Sequence, residues 1–596
     1  MIVRFAALFA CCCIAAAPSA MAQEIRFETT APGGIVATGN TLGLSKQSDA
    51  NGPGILGSIG TFLTLDGGQD TVPSGGANPW PLGTTNDWTD NGSSAVLSLP
   101  NGSTVLYAEL VWGGSYQYGT EDVSASLGTS VGLAFGSGPP IAVTPDGDTA
   151  VTLNETAVFS VRYYLRSADV TSFVQAAGSG AYSVTGVPAT QDTMINSLNA
   201  AGWTLVVAYR DERTATRRLA IQVGGSFVGD ASSEDYVFGN FCAPSVGEVA
   251  GTVVASAIEG DADQTGDQLV IAQDVGGTFT ALAGPNNPED NFFCSQLNDS
   301  AGELDVSGTF GDANHDATSA NLVGGGRQGW DVTTVELSSV AGELVAGQTH
   351  LVLRALTVGD SFVPAMTGIA IDVNAPRLGG GTSSFAAEPA TVTLGETFTV
   401  TATAENTGTA VADGLEFALE LPIGLSLVSF TSDGDPGDVD GAPVDASGLA
   451  NGVAEGTLAP GEARALVLSI EVVGSPPTDI FELFGAWSYD YTSCAGDPLA
   501  DESASFRTVV TFVDPPHPDA GSGADGGTDA GIDGGPEAGG PEYDAGSGDP
   551  ADTERGCSCY TAGRPTEPAA LAPLVVVVAL IVGIRRRRSR WSLSPR

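Results

Sequence analysis

Lysine is almost missing from this chain: Lys46 is the only one in 596 residues. Bases of any kind are scarce, 22 against 70 acids, and seven of the arginines lie beyond Cys559. Between Gln23 and Gly556, 14 basic residues face 69 acidic ones. A surface this negative repels phosphate backbones and anionic headgroups, so no nucleic acid is expected as a partner. It suits solubility and the binding of cations. Histidine is nearly absent too, with three in all, and there is no H-E-x-x-H and no paired C-x-x-C. Zinc chemistry is left without its usual ligands. Charged residues make up only 15% of the chain, while glycine reaches 80 and proline 34. That balance disfavours long helices and favours short strands joined by turns.

Motifs of catalysis fare no better. Gly128-Thr129-Ser130-Val131-Gly132 has the G-x-S-x-G spacing of a nucleophile elbow. An elbow needs a helix after the serine, and the Gly136-Ser137-Gly138-Pro139-Pro140 that follows forbids one. Gly52-Pro53-Gly54-Ile55-Leu56-Gly57 matches G-x-G-x-x-G, again with no βαβ setting. Carboxylates are plentiful, but nothing singles out a glycosidase pair. The expectation is a protein that is not an enzyme, with a secreted hydrolase as the least favoured alternative.

What is present is β-structure. Runs such as Thr104–Trp112, Thr204–Tyr209, Leu219–Val223, Val253–Ile258 and His350–Leu356 are apolar or β-branched and bounded by Gly, Pro and Asn. One short helix is expected over 168–177, capped by Ser167 or Asp169. The length suggests several cores. We expect an all-β chain of tandem β-sandwiches: a β-rich head in two halves, 23–235 and 236–377, then a further β domain over 380–513. Met1 to Ala22 reads as a secretory leader, with Arg4, an apolar core and Ala20-Met21-Ala22 before a mature end at Gln23. A lipobox at Leu8-Phe9-Ala10-Cys11 is the weaker reading, because Phe9 is too large for it. Export permits disulfides. Cys242 and Cys294, the only two cysteines in the large N-terminal region, are the natural pair, and Cys494 has no evident partner.

The most chemically suggestive stretch is Glu259-Gly260-Asp261-Ala262-Asp263-Gln264-Thr265-Gly266-Asp267. Four carboxylates in nine residues could supply hard oxygens to Ca²⁺, with Asp331 or Asp360 joining from afar. The start imitates an EF-hand loop, but Ala272 stands where the closing Glu belongs, and no helices flank it. The competing reading is a solvated acidic turn. Asp433, Asp435, Asp438 and Asp440 pose the same choice. Asn286, Asn287 and Asn291 could be turn formers or sugar-contacting amides. Trp112 and Trp203 belong to apolar runs and are expected in the core, whereas Trp88 is the better surface candidate.

Several stretches carry a family resemblance. Thr38–Lys46, Leu106–Gly114, Ala168–Val174 and Asn199–Leu205 are similar to the N-terminal region of secreted bacterial surface proteins that bear conserved-repeat domains. Within 380–513, Glu405-Asn406-Thr407-Gly408, Leu421-Pro422-Ile423-Gly424-Leu425 and Leu458-Ala459-Pro460-Gly461-Glu462 resemble the conserved-repeat domain itself. The spacing of strands and turns there suggests an immunoglobulin-like sandwich. The resemblance implies a spacer or stalk rather than a catalyst. Some such stalks carry Lys–Asn isopeptide bonds, which this domain, having no lysine, cannot form.

From Asp514 to Glu554 there are 11 acids, 11 Gly and six Pro. The segment 514–555 cannot bury enough apolar surface to offset chain entropy, so a disordered linker is expected, spanning about 35 Å as a flexible coil. Gly556-Cys557-Ser558-Cys559, an apolar run over 569–584 and the arginines 585–588 and 590 close the chain. The run is near the lower length limit for one transmembrane helix, and the arginines should hold its end in the cytoplasm. This three-part tail, 556–596, resembles the myxobacterial MYXO-CTERM sorting signal. The resemblance implies handling near Cys557 by an envelope sorting protease and delivery to the cell surface. The sequence therefore points to an exported, surface-displayed adhesive or structural protein. A glycan- or peptide-binding module, with calcium as its one candidate cofactor, is the alternative.

Overall fold

The structure, a computed structural model, describes residues 23–514 apart from 73–77, 154–160, 192–197, 230–231, 319–320, 434–443 and 493–497. The expected leader with its Ala22 cut site, Cys494, Asp435, Asp438, Asp440, the acidic linker past Asp514 and the tail with Gly556 to Cys559 lie outside these residues. Among the described residues no helix is long and apolar enough to cross a membrane.

The described chain is all-β, with two short α-helices, Thr171–Ala177 and Ala446–Asn451. The first is shorter than expected from the sequence. A strand, Arg162–Asp169, takes the positions before it, and Asp169 Oδ1 accepts a hydrogen bond from the Thr171 N–H at 2.8 Å.

The head is organised on one ten-stranded antiparallel sheet. Its long strands are β1 (Glu24–Thr41), β2 (Thr104–Tyr118), β3 (Arg162–Asp169), β4 (Ala201–Arg210), β5 (Thr216–Val223), β6 (Ala250–Ile258), β7 (Trp330–Ser338) and β8 (Val363–Asp372). They run in the order β3-β2-β4-β1-β5-β8-β6-β7. The sheet thus continues across residue 235, where the sequence suggested a division. It is folded on itself along β1. Residues Gly33–Thr41 of β1 pair with β4, whereas Glu24–Pro32 pair with β5. The change of partner falls at Pro32-Gly33-Gly34. Gly33 has φ 152°, and a Cβ there would collide with the Tyr209 carbonyl.

Folding along β1 sets the half-sheet β3-β2-β4 against the half-sheet β5-β8-β6-β7. Between them lies a core of Ile35, Ala37, Val206, Ala208, Leu219, Val254, Trp330 and Val332. Gly202 leaves room for the Trp330 ring, whose Nε1 donates to Thr204 Oγ1 at 2.9 Å. The other face of the first half-sheet carries Leu110, Trp112, Trp203 and Leu205. It packs on a small sheet of Gly92–Leu97, Gly180–Thr185, Val131–Phe135 and Ile141–Val143. The other face of the second half-sheet carries Val253, Ala255, Ala257, Ile369 and Ile371. It packs on Ser233–Phe238, Leu351–Leu356, Gln268–Ala272 and Thr280–Ala281. Central strands are therefore buried on both faces, which is why they read as nearly unbroken apolar runs.

The expected Cys242–Cys294 disulfide is not formed, and both are free thiols. The Cys242 carbonyl accepts from Asn374 N–H, beside the start of β6, while Cys294 lies by Asp331, which pairs with Ala257 at its end. Most of a strand separates them, on the order of 20 Å at the usual rise. A disulfide needs Cα atoms within about 7 Å.

Residues 384–512 form two sheets, one of four strands and one of five, packed face to face. Phe398, Val400, Leu466 and Leu468 meet Phe417, Leu483 and Trp487 in the shared core. The junction with the head is tight. Asn406, fully buried, accepts from Arg377 N–H at 3.1 Å and donates to the Ala410 and Leu458 carbonyls at 2.8 and 2.9 Å. Thr407 and Thr409 N–H groups donate to the carbonyls of Arg377 and Ala375, both at 2.9 Å.

Candidate cation site

Strand β6 ends at Ile258, whose side chain belongs to the middle core. The next residue, Glu259, takes φ 74°, an unusual conformation for a residue with a side chain. This turn carries its carboxylate into the end of the head, where it is 1% exposed. Asp261, one turn further, is equally buried. Asp267 precedes the strand Gln268–Ala272 and is held there by Phe292 N–H donating to its carbonyl at 3.0 Å. Asp331 is the second residue of β7, opposite Ala257, so its side chain faces the end of the core that contains Phe292, Phe293 and Phe362. Asp360 comes from the loop between Leu351–Leu356 and β8.

The polar contacts of these five acids are unequal. Asp261 accepts from Gln264 Nε2 at 2.6 Å and from Gln328 Nε2 at 3.2 Å. Asp331 Oδ1 accepts from Gln296 N–H at 2.9 Å, with the Ser295 and Cys294 N–H groups also directed at the carboxylate. Asp360 Oδ1 accepts from Ser361 N–H at 2.7 Å. Six buried oxygens have no partner: Glu259 Oε1 and Oε2, Asp267 Oδ1 and Oδ2, Asp331 Oδ2 and Asp360 Oδ2. Burial raises the pKa of every member, and the neighbouring carboxylates raise those of Glu259, Asp261 and Asp267 further. Asp360, nearer the surface, is pushed up to about 6, mainly by burial. Among the described residues no three of these groups, as placed, stand together closely enough to hold a metal ion. The acids are gathered at strand ends and loops rather than fixed at one point.

The head treats a buried acid differently elsewhere. Glu109, fully buried on β2, is paired with Arg26 at 3.0 Å and accepts from the Tyr107 hydroxyl. Burial raises its pKa too, but Ser167, Tyr107 and Arg26 oppose the rise.

Of the four acids singled out in the sequence, Glu259, Asp261 and Asp267 are enclosed, whereas Asp263 stands at the edge of the group, near enough to raise the pKa of Asp261 and Asp360. The Asp263 side chain is exposed on the rim. Asp331 and Asp360, remote in sequence, complete the group. The Gln264 and Gln328 amides carry no local signal in the sequence, and Gln296 contributes only its backbone N–H. The nearby asparagines are structural. Asn287 is buried and donates to the Phe292 carbonyl at 2.9 Å and to Thr333 Oγ1 at 3.2 Å, and Asn286 donates to the Gly302 carbonyl at 3.3 Å. Trp112 and Trp203 are core residues, and Trp88 is half-buried against the core to which they belong. Ser130 lies on an exposed turn before Val131–Phe135, its hydroxyl 2.9 Å from Thr144 Oγ1.

No family model matches the chain, and no curated protein does. Among solved structures the chain is similar to one from Corynebacterium diphtheriae, a protein described as membrane anchored. The match has 9% identity, covers 82% of this chain and 97% of that one, and has a TM-score of 0.16. At that score the likeness carries no argument about fold or function.

Proposed function

We propose that this protein is exported and displayed at the cell surface, where it acts as an adhesive or structural element rather than as an enzyme. The observation that carries this reading is the build of residues 23–514. Stacked antiparallel sheets are joined through Ala375–Arg377 to a two-sheet unit that we read as an immunoglobulin-like spacer. A spacer locked to a head, followed in sequence by an acidic Gly/Pro tether, an apolar run and an arginine cluster, suits presentation at a distance from a membrane. In this reading the leader is removed at Ala22–Gln23. The tail, with Cys557 as the handled residue, is the substrate of an envelope sorting protease.

A second reading, a binding module for a glycan or peptide, rests on a shallow groove of about 390 Å³ on the head, lined in part by Tyr209, Arg217 and Glu336. The edge of one tyrosine beside one base and one acid is a composition that sugars and extended peptides can use.

Fractionation of the producing cell, with mass spectrometry of both mature ends, tests the main reading. The expected result is a chain that starts at Gln23, ends near Cys557 and is removed from intact cells by added protease. An intact chain from Met1 to Arg596 in the cytosol overturns it.

A further inference from the structure

We propose that Glu259, Asp267, Asp331 and Asp360, with Asp261 behind them, form a Ca²⁺ site that ties together three separate segments of the head.

The six partnerless oxygens carry the argument. A buried carboxylate is tolerated when it is paired, hydrogen-bonded or bound to a metal. Glu259, Asp267 and Asp331 are each at most 1% exposed, and Glu259 and Asp267 have no side-chain oxygen engaged. Protonation does not resolve this. A neutral carboxyl gains an O–H that itself needs an acceptor, and no side-chain oxygen of Glu259 or Asp267 has a full hydrogen bond in the structure, although the Thr357 hydroxyl lies close enough to Asp267 to oppose the rise in its pKa. A cation can satisfy them once the loops that carry them close around it, since as placed no three of these acids are near enough to one another to hold a metal ion.

The donors select the ion. All are hard carboxylate oxygens, with no thiolate or imidazole among them, which disfavours zinc and copper. Ca²⁺ takes about six to eight oxygens in adaptable geometry, whereas Mg²⁺ demands a near-ideal octahedron and keeps several waters. Six free oxygens drawn from loops and strand ends fit the larger ion. The N–H groups of Cys294, Ser295 and Gln296 face Asp331, and the Gln264 and Gln328 amides engage Asp261. These donors bear part of the charge that one divalent ion leaves over. The site joins the end of β6, the loop that follows it, the second residue of β7 and the loop before β8. Binding would therefore draw in both loops at this end of the head. Glu259 at φ 74° and Ser295 at φ 54° line the same place, so two strained backbone positions hold the donors inward.

The test uses the purified full chain. Melting curves are recorded in CaCl₂, in MgCl₂ and in EGTA, and bound metal is measured by atomic spectrometry after dialysis. We expect retained calcium and a midpoint higher by about 3–8 °C in CaCl₂ than in EGTA, with a smaller response to Mg²⁺. The double variant Glu259→Gln plus Asp331→Asn should lose both bound calcium and the shift. In EGTA it should melt no lower than the parent, because neutral amides relieve the repulsion. Asp263→Asn should keep the full response. If the double variant does not fold, Asp360→Asn, on the least buried donor, replaces it and should weaken calcium binding at least tenfold by titration calorimetry. A wild-type chain that binds no calcium and melts identically in CaCl₂ and EGTA overturns the proposal. So does a calcium shift that persists in the double variant, or in Asp360→Asn where that variant stands in.

Discussion

The head and the C-terminal two-sheet unit are built from strands with the same period of two, yet they use it differently. In Ile480–Thr492 buried positions alternate with more exposed ones along almost the whole strand. In β4 every residue but Arg210 is buried. A strand between one core and water must alternate, whereas one between two cores need not. The contrast extends to polar groups. In the C-terminal unit charged side chains sit mostly on the wet face of each strand. In the head the folded sheet leaves its ends enclosed, and acids placed there are enclosed with them. Glu109 is matched by Arg26, and the group around Glu259 is not.

Four measurements probe this contrast between the two units. The largest effect is expected from the buried indoles. Trp330→Ala removes the centre of the middle core and should cost about 3–5 kcal/mol, as should Trp487→Ala in the C-terminal unit. Calorimetry on each variant should show one transition lowered and the other in place. A joint fall in both would mean that the units unfold as one, and the distinction drawn above would vanish.

Acid titration comes next. His315 is fully buried, its Nδ1 accepts from Val323 N–H at 3.1 Å, and burial lowers its pKa from 6.5 to about 4. Below pH 6.5 the unfolded chain takes up a proton that the folded chain refuses. Stability present above that pH is therefore lost as pH falls towards about 4, by up to roughly 3 kcal/mol. The only other histidines are His350 and His517, so residues 380–514 contain none. The loss should appear in the head's transition and be reduced in His315→Asn. Equal acid sensitivity of that variant and the parent would remove His315 as the cause.

Asn406→Ala strips several hydrogen bonds from the junction and leaves buried carbonyls unpaired, with an expected cost of about 2–3 kcal/mol. Limited proteolysis between residues 375 and 381 should quicken. Unchanged cleavage would show that the apolar core running through Val373, Ala375 and Leu378 holds the junction without it. The smallest effect is expected at Asp263→Asn on the exposed rim, within about 0.5 kcal/mol by chemical denaturation. A larger loss would place Asp263 inside the acidic group after all.

Much of the C-terminal unit was legible in the sequence, because alternation and turn residues are local. Asn406-Thr407-Gly408 and Ala459-Pro460-Gly461-Glu462 are rich in turn formers, and both lie between strands. The head was legible as strands but not as layers. The sheet passes from one half of the chain to the other through β1, β5 and β8, and no local pattern records that β5 pairs with a strand some 150 residues later. Half of the acidic site was legible as well. Glu259, Asp261 and Asp267 are crowded enough to attract notice, and Asp331 and Asp360 could be named as distant candidates, but no local pattern said that the fold would bring both to that loop. The cysteine pairing failed for the complementary reason: scarcity suggested a partner, and strand length kept the two apart.

Composition and local pattern dictate the class of structure and the chemistry the chain can attempt. Short apolar runs among many glycines and prolines make strands, and a chain with one lysine and three histidines must rely on carboxylates. Tertiary structure alone decided which carboxylates matter. Asp263 and Asp267 stand four residues apart in one acidic loop, yet one faces solvent and the other is enclosed without a partner. The difference arises because the loop rounds the end of a sheet folded on itself, and water reaches only its outer side.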